Sequence, residues 1–204
     1  MSNKAELLKQ VEDRLKAEDF PLKKTATNLV FGEGDPGSKV VFIGEAPGFH
    51  EDKTGRPFVG VAGRLLEKLL AATNLKREAV YITNMVKYRP PENRDPLPSE
   101  LEIFGPYLDQ QLEIINPEVI VTLGRFSMAR FLPGAKIGQV HGKPIRKNGK
   151  IILPLYHPAA ALRNGAVLRE LEKDFAVLPL VLQDPSIVAM EKVTNNDPNQ
   201  IGLF

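Results

Sequence analysis

The sequence predicts one α/β domain of three layers, αβα, around a short and mainly parallel central sheet. Short apolar runs alternate with segments of helical period along most of the chain, the order that builds βαβ units. A length of 204 residues with 43% hydrophobic side chains is enough for a single well-covered core. The first apolar run, Val40 to Ile43, empties into Gly44-Glu45-Ala46-Pro47-Gly48, and ligands of open α/β sheets sit beyond the carboxyl ends of strands. Residues 1–183 are expected to form this domain, and 184–204 a flexible tail.

From the N-terminus, Leu7, Leu8, Val11 and Leu15 recur at helical spacing, which predicts an amphipathic helix from Ala5 to Ala17. Phe20-Pro21-Leu22 ends it, and an irregular stretch runs to Gly37. The strand Val40–Ile43 and its glycine-rich loop follow. Leu65, Leu66, Leu69 and Leu70 then mark one face of a helix from Gly63 to Thr73. Val80–Thr83 is the next strand, ending at Asn84, and a stiff loop rich in proline and cations reaches Pro96. Ser99 with Glu102 three residues on predicts a capping box and a helix to about Ile115. Val119–Leu123 is a third strand, and Gly124 opens a helix to about Leu132. Gly138 to Leu153 is expected to form a small hairpin region that turns at Asn148-Gly149. The strand Ile151–Leu155 delivers Tyr156-His157-Pro158, and one helix is expected from Val167 to Gln183.

Composition removes several function classes. Cysteine is absent, which excludes disulfides, thiolate nucleophiles and cysteine-ligated clusters. Three scattered histidines, His50, His141 and His157, do not predict a metal site. No stretch has the length of a membrane span and no apolar signal segment opens the chain, so a cytoplasmic protein without membrane contact is expected. The net charge is only +2, and the tail is acidic, so the body is the more basic part. That balance is compatible with a phosphate-binding face.

The stretch Lys39 to Gly63 carries the most chemistry. Its loop holds Glu51, Asp52, Lys53, Arg56 and one isolated aromatic, Phe58, among five glycines. Glycine at such density lets backbone come close to a neighbour or ligand. Asn84 ends a strand with an amide that offers both donors and an acceptor. His157 stands at another strand end, before Pro158.

Three separated segments share one likeness. GEAPGxxEDxxGxPFVGxAG (Gly44 to Gly63), ITNxVKxRPPxNRxP (Ile82 to Pro96) and HPAAxLRN (His157 to Asn164) resemble the family 4, thermostable-type uracil-DNA glycosylases. The match runs in order over about residues 20 to 183. The resemblance implies the uracil-DNA glycosylase-like fold and a monomeric, monofunctional enzyme. Such an enzyme turns uracil out of single- or double-stranded DNA, cuts its bond to the sugar and leaves an abasic site. Phe58 is then the stacking floor for the base, and Asn84 reads its edge, accepting N3–H and donating to O4. Gly44 and Ala46 line the same site. His157 faces O2, where negative charge gathers on the leaving base. Glu51 is the first candidate to orient water and stabilise the oxocarbenium-like sugar, with Asp52 second and Glu45 helping to place the water. Backbone at Gly60 and Gly63 is expected to grip phosphate. Leu162 and Arg163 are candidates for a wedge and a phosphate contact, and Lys87, Arg89 and Arg94 for the same face. The cross-linking branch of the superfamily carries an inserted basic loop with a histidine. Residues 86–98 contain neither, so release of a free abasic site is expected.

The chain departs from the family at one place. Members usually hold a [4Fe–4S] cluster on four cysteines, and the matching positions here are Ala17, Phe20, Tyr88 and Phe104. No cofactor and no metal are therefore expected, with the three rings packing where the cluster would sit. The chain ends in Gln200-Ile201-Gly202-Leu203-Phe204, which looks like the peptide that bacterial repair proteins insert into the polymerase sliding clamp. Gln200, Leu203 and Phe204 would be its anchors, and the likeness points to a bacterial source. Two other readings stay open at this point. One is a non-catalytic module that binds uracil or damaged bases; the other is a glycosylase favouring another deaminated or mispaired base.

Overall fold

The computed structural model describes residues 3–188, and the C-terminal QIGLF lies outside them. Helix α1 (Asn3–Ala17) turns Leu8, Val11 and Leu15 inward. An edge strand β1 (Glu33–Gly34) leads to β2 (Val40–Gly44), and α2 (Phe49–Thr54) and α3 (Val61–Ala72) follow. Strand β3 (Tyr81–Asn84) is joined by the proline-rich loop to α4 (Pro98–Ile115) and β4 (Val119–Leu123). Next come α5 (Arg125–Phe131), α6 (Ile137–Val140), β5 (Ile145–Lys147) and β6 (Lys150–Leu155). The last helices are α7 (Pro158–Ala161), α8 (Gly165–Phe175) and α9 (Val177–Gln183).

The sheet order is β1-β3-β2-β4-β6-β5. Its four inner strands are parallel, and both edge strands are antiparallel. Inner strands buried on both faces explain why Val40–Ile43 and Val119–Leu123 read as continuous apolar runs. Their side chains still alternate. Val40, Phe42, Val119 and Val121 enter a core shared with α3, α8 and α9, where Phe42 stacks on Phe175 with ring centres 5.8 Å apart. Val41, Ile43 and Ile120 enter the opposite core, with α1, α4 and α5. The three layers are therefore held by two apolar cores, one on each face of the sheet.

Several expectations need correction. Helix α4 starts at Pro98, not at a Ser99 cap: Glu100, third in the helix, reaches back to the Leu97 N–H at 2.8 Å. Proline pre-set for the first helical turn decides that boundary. Residues 165–183 form two helices joined at Ala176, with Pro179 in the first turn of the second, where its missing N–H costs nothing; α4 bridges Pro106 without such a break. Gly138 lies in the short α6; the hairpin is limited to β5 and β6, with Asn148 (φ 48°) and Gly149 (φ 74°) in the paired left-handed turn such hairpins need. Packing also continues past Gln183: Pro185–Ile187 makes a helical turn and Val188 is buried in the core. No helix among the described residues is long and apolar enough to cross a membrane.

Candidate active site

The carboxyl ends of β2, β3 and β6 and the start of α3 converge on one place, called the cleft after the base it would take. Gly44 ends β2 and pairs with Asn84 at the end of β3. A Cβ on Gly44 would come 2.3 Å from Asn84 Oδ1 and 2.6 Å from the Phe58 ring. Only glycine lets amide and ring approach this closely. The Phe58 ring lies 5.7 Å from the His157 ring, tilted by 30°. On the other side of His157, Gly124 leaves room: a Cβ there would meet the His157 Cβ at 3.1 Å. Phe58, Asn84 and His157 thus share one wall, although 99 positions in the chain separate the first from the last.

Phe58 is fixed by its backbone. Its φ of 50° is uncommon for an aromatic residue, and three contacts support it. The Arg77 guanidinium donates to Pro57 O at 2.5 Å and to Phe58 O at 3.2 Å. Glu33 pairs with Arg77 at 3.0 Å and holds it in place. A Cβ on Gly63 would fall 1.9 Å from Phe58 O, so helix α3 can press against this turn. Glu51 Oε1 accepts from the N–H groups of Val59 and Gly60, at 2.9 and 2.8 Å, and closes the loop from the other side.

The polar groups differ in how far they are already engaged. Asn84 is 2% exposed, yet its side-chain amide has no hydrogen-bond partner among the described residues. His157 Nδ1 accepts from the Ala159 N–H at 3.1 Å, which places the ring proton on Nε2. Burial pulls the imidazole down from 6.5 to about 4 against the opposing charge of Glu51, so the ring is neutral at physiological pH. It presents an N–H without carrying a charge. Glu45 is half-buried, its carboxyl group makes no hydrogen bond among the described residues, and it is pushed up to about 7 by burial and by Asp95, while Arg125 pulls it back. Asp95 and Arg125 are themselves paired at 2.6 Å.

Several other expected site residues are engaged elsewhere. Asp52 is buried, and Oδ1 accepts from the Thr27 and Asn28 N–H groups at 2.8 and 3.1 Å, so it braces the segment before β1 and does not face the cleft. The Gly60 N–H is committed to Glu51, and Gly63 serves packing against Phe58; the first-turn amides of α3 are the groups left for an anion. Lys87 is fully enclosed and lines no surface. Arg94 is paired with Glu100 at 2.6 Å. Arg89 lies over the exposed Phe49 ring at 5.2 Å and donates to Asn93 at 2.7 Å. Leu162, 47% exposed, and the exposed Arg163 stand together just after α7. Ala46 is half-buried beside Glu45. Sequence reasoning missed Arg77, Gly124 and the Asp95–Arg125 pair. Gly124 carried a signal in opening a helix directly after a strand, whereas Arg77 sits in a charged connection that gave none.

The cluster positions do not fit iron. The chain offers no thiolate, and the positions are filled by carbon. Phe20, Tyr88 and Phe104 are all buried, with ring centres 5.1 to 6.3 Å apart, and Tyr107 meets Phe20 edge-on at 6.0 Å. Ala17 is exposed at the end of α1 and takes no part. The rings join α1, the proline-rich loop and α4.

Known proteins resemble this chain over most of its length. Residues 31–178 match the family model of the uracil DNA glycosylase superfamily. The type-4 uracil-DNA glycosylase of Thermotoga maritima is 46% identical over 183 residues, 85% of this chain and 95% of that protein. The type-4 enzyme of Archaeoglobus fulgidus is 49% identical over 164 residues, 76% and 82% of the two chains. That of Sulfurisphaera tokodaii is 44% identical over 180 residues, 80% and 81%.

Proposed function

The chain belongs to the uracil DNA glycosylase superfamily, and from that premise we propose how its residues excise uracil from DNA. A base inside a duplex is out of reach, so the nucleotide is turned out of the stack into the cleft. The base stacks on Phe58, an interaction worth roughly 1–3 kcal/mol. The unengaged amide of Asn84 accepts N3–H and donates to O4, a pattern that cytosine opposes. Neutral His157 donates Nε2–H to O2, where charge gathers as the bond breaks, and a donor placed for that charge lowers the barrier.

On the sugar side the two glutamates divide the work. Glu51 is tied to the Phe58 loop through one oxygen and supplies a fixed negative charge opposite the oxocarbenium-like centre. Glu45, free to turn, orients the attacking water in its ionised form. The exposed Leu162 and Arg163 fill and grip the gap left in the DNA, and the first turn of α3 holds a phosphate. Products are free uracil and an abasic site.

The observation that carries this reading is the contact of Phe58, Asn84 and His157 around Gly44. Asn84→Asp tests it directly: uracil excision is expected to weaken and cytosine excision to become detectable, whereas wild-type uracil excision would remove Asn84 from the pocket.

Three finer points belong to the same proposal. The enzyme works as a cytoplasmic monomer without iron, since the aromatic packing occupies the positions that would ligate a cluster. It leaves cytosine alone, because that base presents the opposite pattern of donor and acceptor to the Asn84 amide. Its terminal Gln200, Leu203 and Phe204 dock in the polymerase sliding clamp; the sequence of the pentapeptide supports this, and loss of clamp binding on deleting residues 200–204 is the expected result.

A further inference from the structure

Lys87 is 0% exposed and has no carboxylate partner. Its Nζ donates to Thr83 Oγ1 at 2.7 Å, to the Asn84 backbone oxygen at 2.8 Å and to Gln111 Oε1 at 2.5 Å. An ammonium has three N–H groups, so the set is complete. The far end of the network fixes its direction. Thr83 Oγ1 gives its own proton to Phe31 O at 2.8 Å, and Gln111 Nε2 donates to Phe31 O at 3.0 Å and to the Tyr81 hydroxyl at 3.2 Å. The oxygens facing Lys87 are thereby left as acceptors. Burial without a counter-charge pulls the lysine well below its usual range. Methionine would fill the same space without that penalty. A lysine kept under such conditions needs a reason in what it holds.

What it holds is the peptide of Asn84. The rung Gly44↔Asn84 is the last of the β2–β3 ladder, and beyond it Met85 N–H and Val86 N–H still bond to Gly44 O and Glu45 O, both at 3.0 Å. Lys87 then turns back by three residues and clamps the Asn84 carbonyl. We propose that Lys87 is a positioning residue for base recognition, which fixes the peptide from which the Asn84 amide faces the extruded base. It touches neither substrate nor reacting atoms, and it sets selectivity for uracil through Asn84 alone. The proposal rests on Asn84 as the reader of the base.

The test compares Lys87→Met and Asn84→Ala with the wild type. Three quantities are read: the single-turnover excision rate, inhibition by free uracil and affinity for abasic-site DNA. A loosened reader is expected to slow excision by about tenfold to a hundredfold, the cost of a misplaced group. Inhibition by uracil should weaken by a similar factor, with abasic-DNA affinity unchanged because that grip lies elsewhere. A lysine that only supports the fold would lower the melting temperature and leave excision and uracil inhibition at wild-type values; that result overturns the proposal. Should Lys87→Met not fold, Thr83→Val keeps the bulk and removes one acceptor. It is expected to reduce the same two quantities by about threefold to tenfold, and wild-type values from it overturn the proposal equally. If Asn84→Ala loses both and Lys87→Met neither, Lys87 alone is wrong. If Asn84→Ala keeps both, the reading of Asn84 fails as well.

Discussion

The cleft and the aromatic knot are joined by one short segment, Asn84 to Tyr88, and they are held by opposite means. At the cleft, backbone conformation, close glycine contacts and hydrogen bonds fix each group, and an amide is left unengaged for a partner to come. At the knot, Phe20, Tyr88 and Phe104 meet through burial, with no hydrogen bond between them. The contrast shows how a chain can dispense with an inorganic core at one end of a loop and keep chemistry at the other. Packing tolerates a change of filling, whereas a reading edge requires particular atoms at particular places.

Five substitutions would break or sharpen that contrast, in descending order of effect. Phe104→Ala removes the most buried ring of the knot and is expected to cost about 3–5 kcal/mol of stability in a denaturant titration. The excision rate per folded molecule should change little; a large fall in rate at unchanged stability would mean that the two ends are not separate. His157→Ala should do the reverse and slow single-turnover excision by about 10²–10³-fold, without a matching loss of stability near pH 7. The same residue leaves a mark on pH dependence. Its imidazole titrates near 6.5 when unfolded and at about 4 in the native cleft, so the unfolded chain binds more protons between those values. Stability is therefore lost as pH falls through that window, and His157→Ala should flatten that slope.

Gly44→Ala places a methyl group against Asn84 and Phe58 and is expected to slow excision by about 10²-fold, measured as a single-turnover rate. A near-normal rate would show that the cleft wall yields more than its contacts imply. The smallest effect concerns Glu45. With its carboxyl at about 7, the excision rate should rise as pH climbs through that value and the group ionises. Asp95→Asn removes the repulsion and should move this limb toward acid by less than about one unit; Arg125→Gln should move it toward alkali. A limb that stays in place in both variants would sever Glu45 from the step.

Much of this was legible in the letters, and for definable reasons. The strands were visible because burial on both faces makes them continuous apolar runs. Phe58 and His157 were visible because each stands beside a proline in a loop or at a strand end, and Asn84 because it closes an apolar strand with an amide. What stayed hidden depends on distance through space. Asp52 and Glu51 are neighbours in a loop, and only the folded helix α2 shows that one turns to Thr27 and the other to Val59. Lys87 reads as a cation of the loop, yet the strand it follows carries it inside. Arg77 lies in a connection with no pattern, and its role exists only because the Phe58 turn folds over it. Pro179 hinted at the break at Ala176, since proline is favoured in the first turn of a helix, but Pro106 inside α4 shows that a proline alone does not decide one.

The central claim is that the cleft excises uracil while carbon packing stands in for iron. The most direct measurement incubates freshly purified enzyme with a uracil-containing oligonucleotide in excess chelator, reveals abasic sites with alkali and assays iron in the same sample. The expected result is strand cleavage at uracil with iron far below one cluster per chain. No cleavage at uracil, or cleavage only in preparations that carry a stoichiometric cluster, would contradict it.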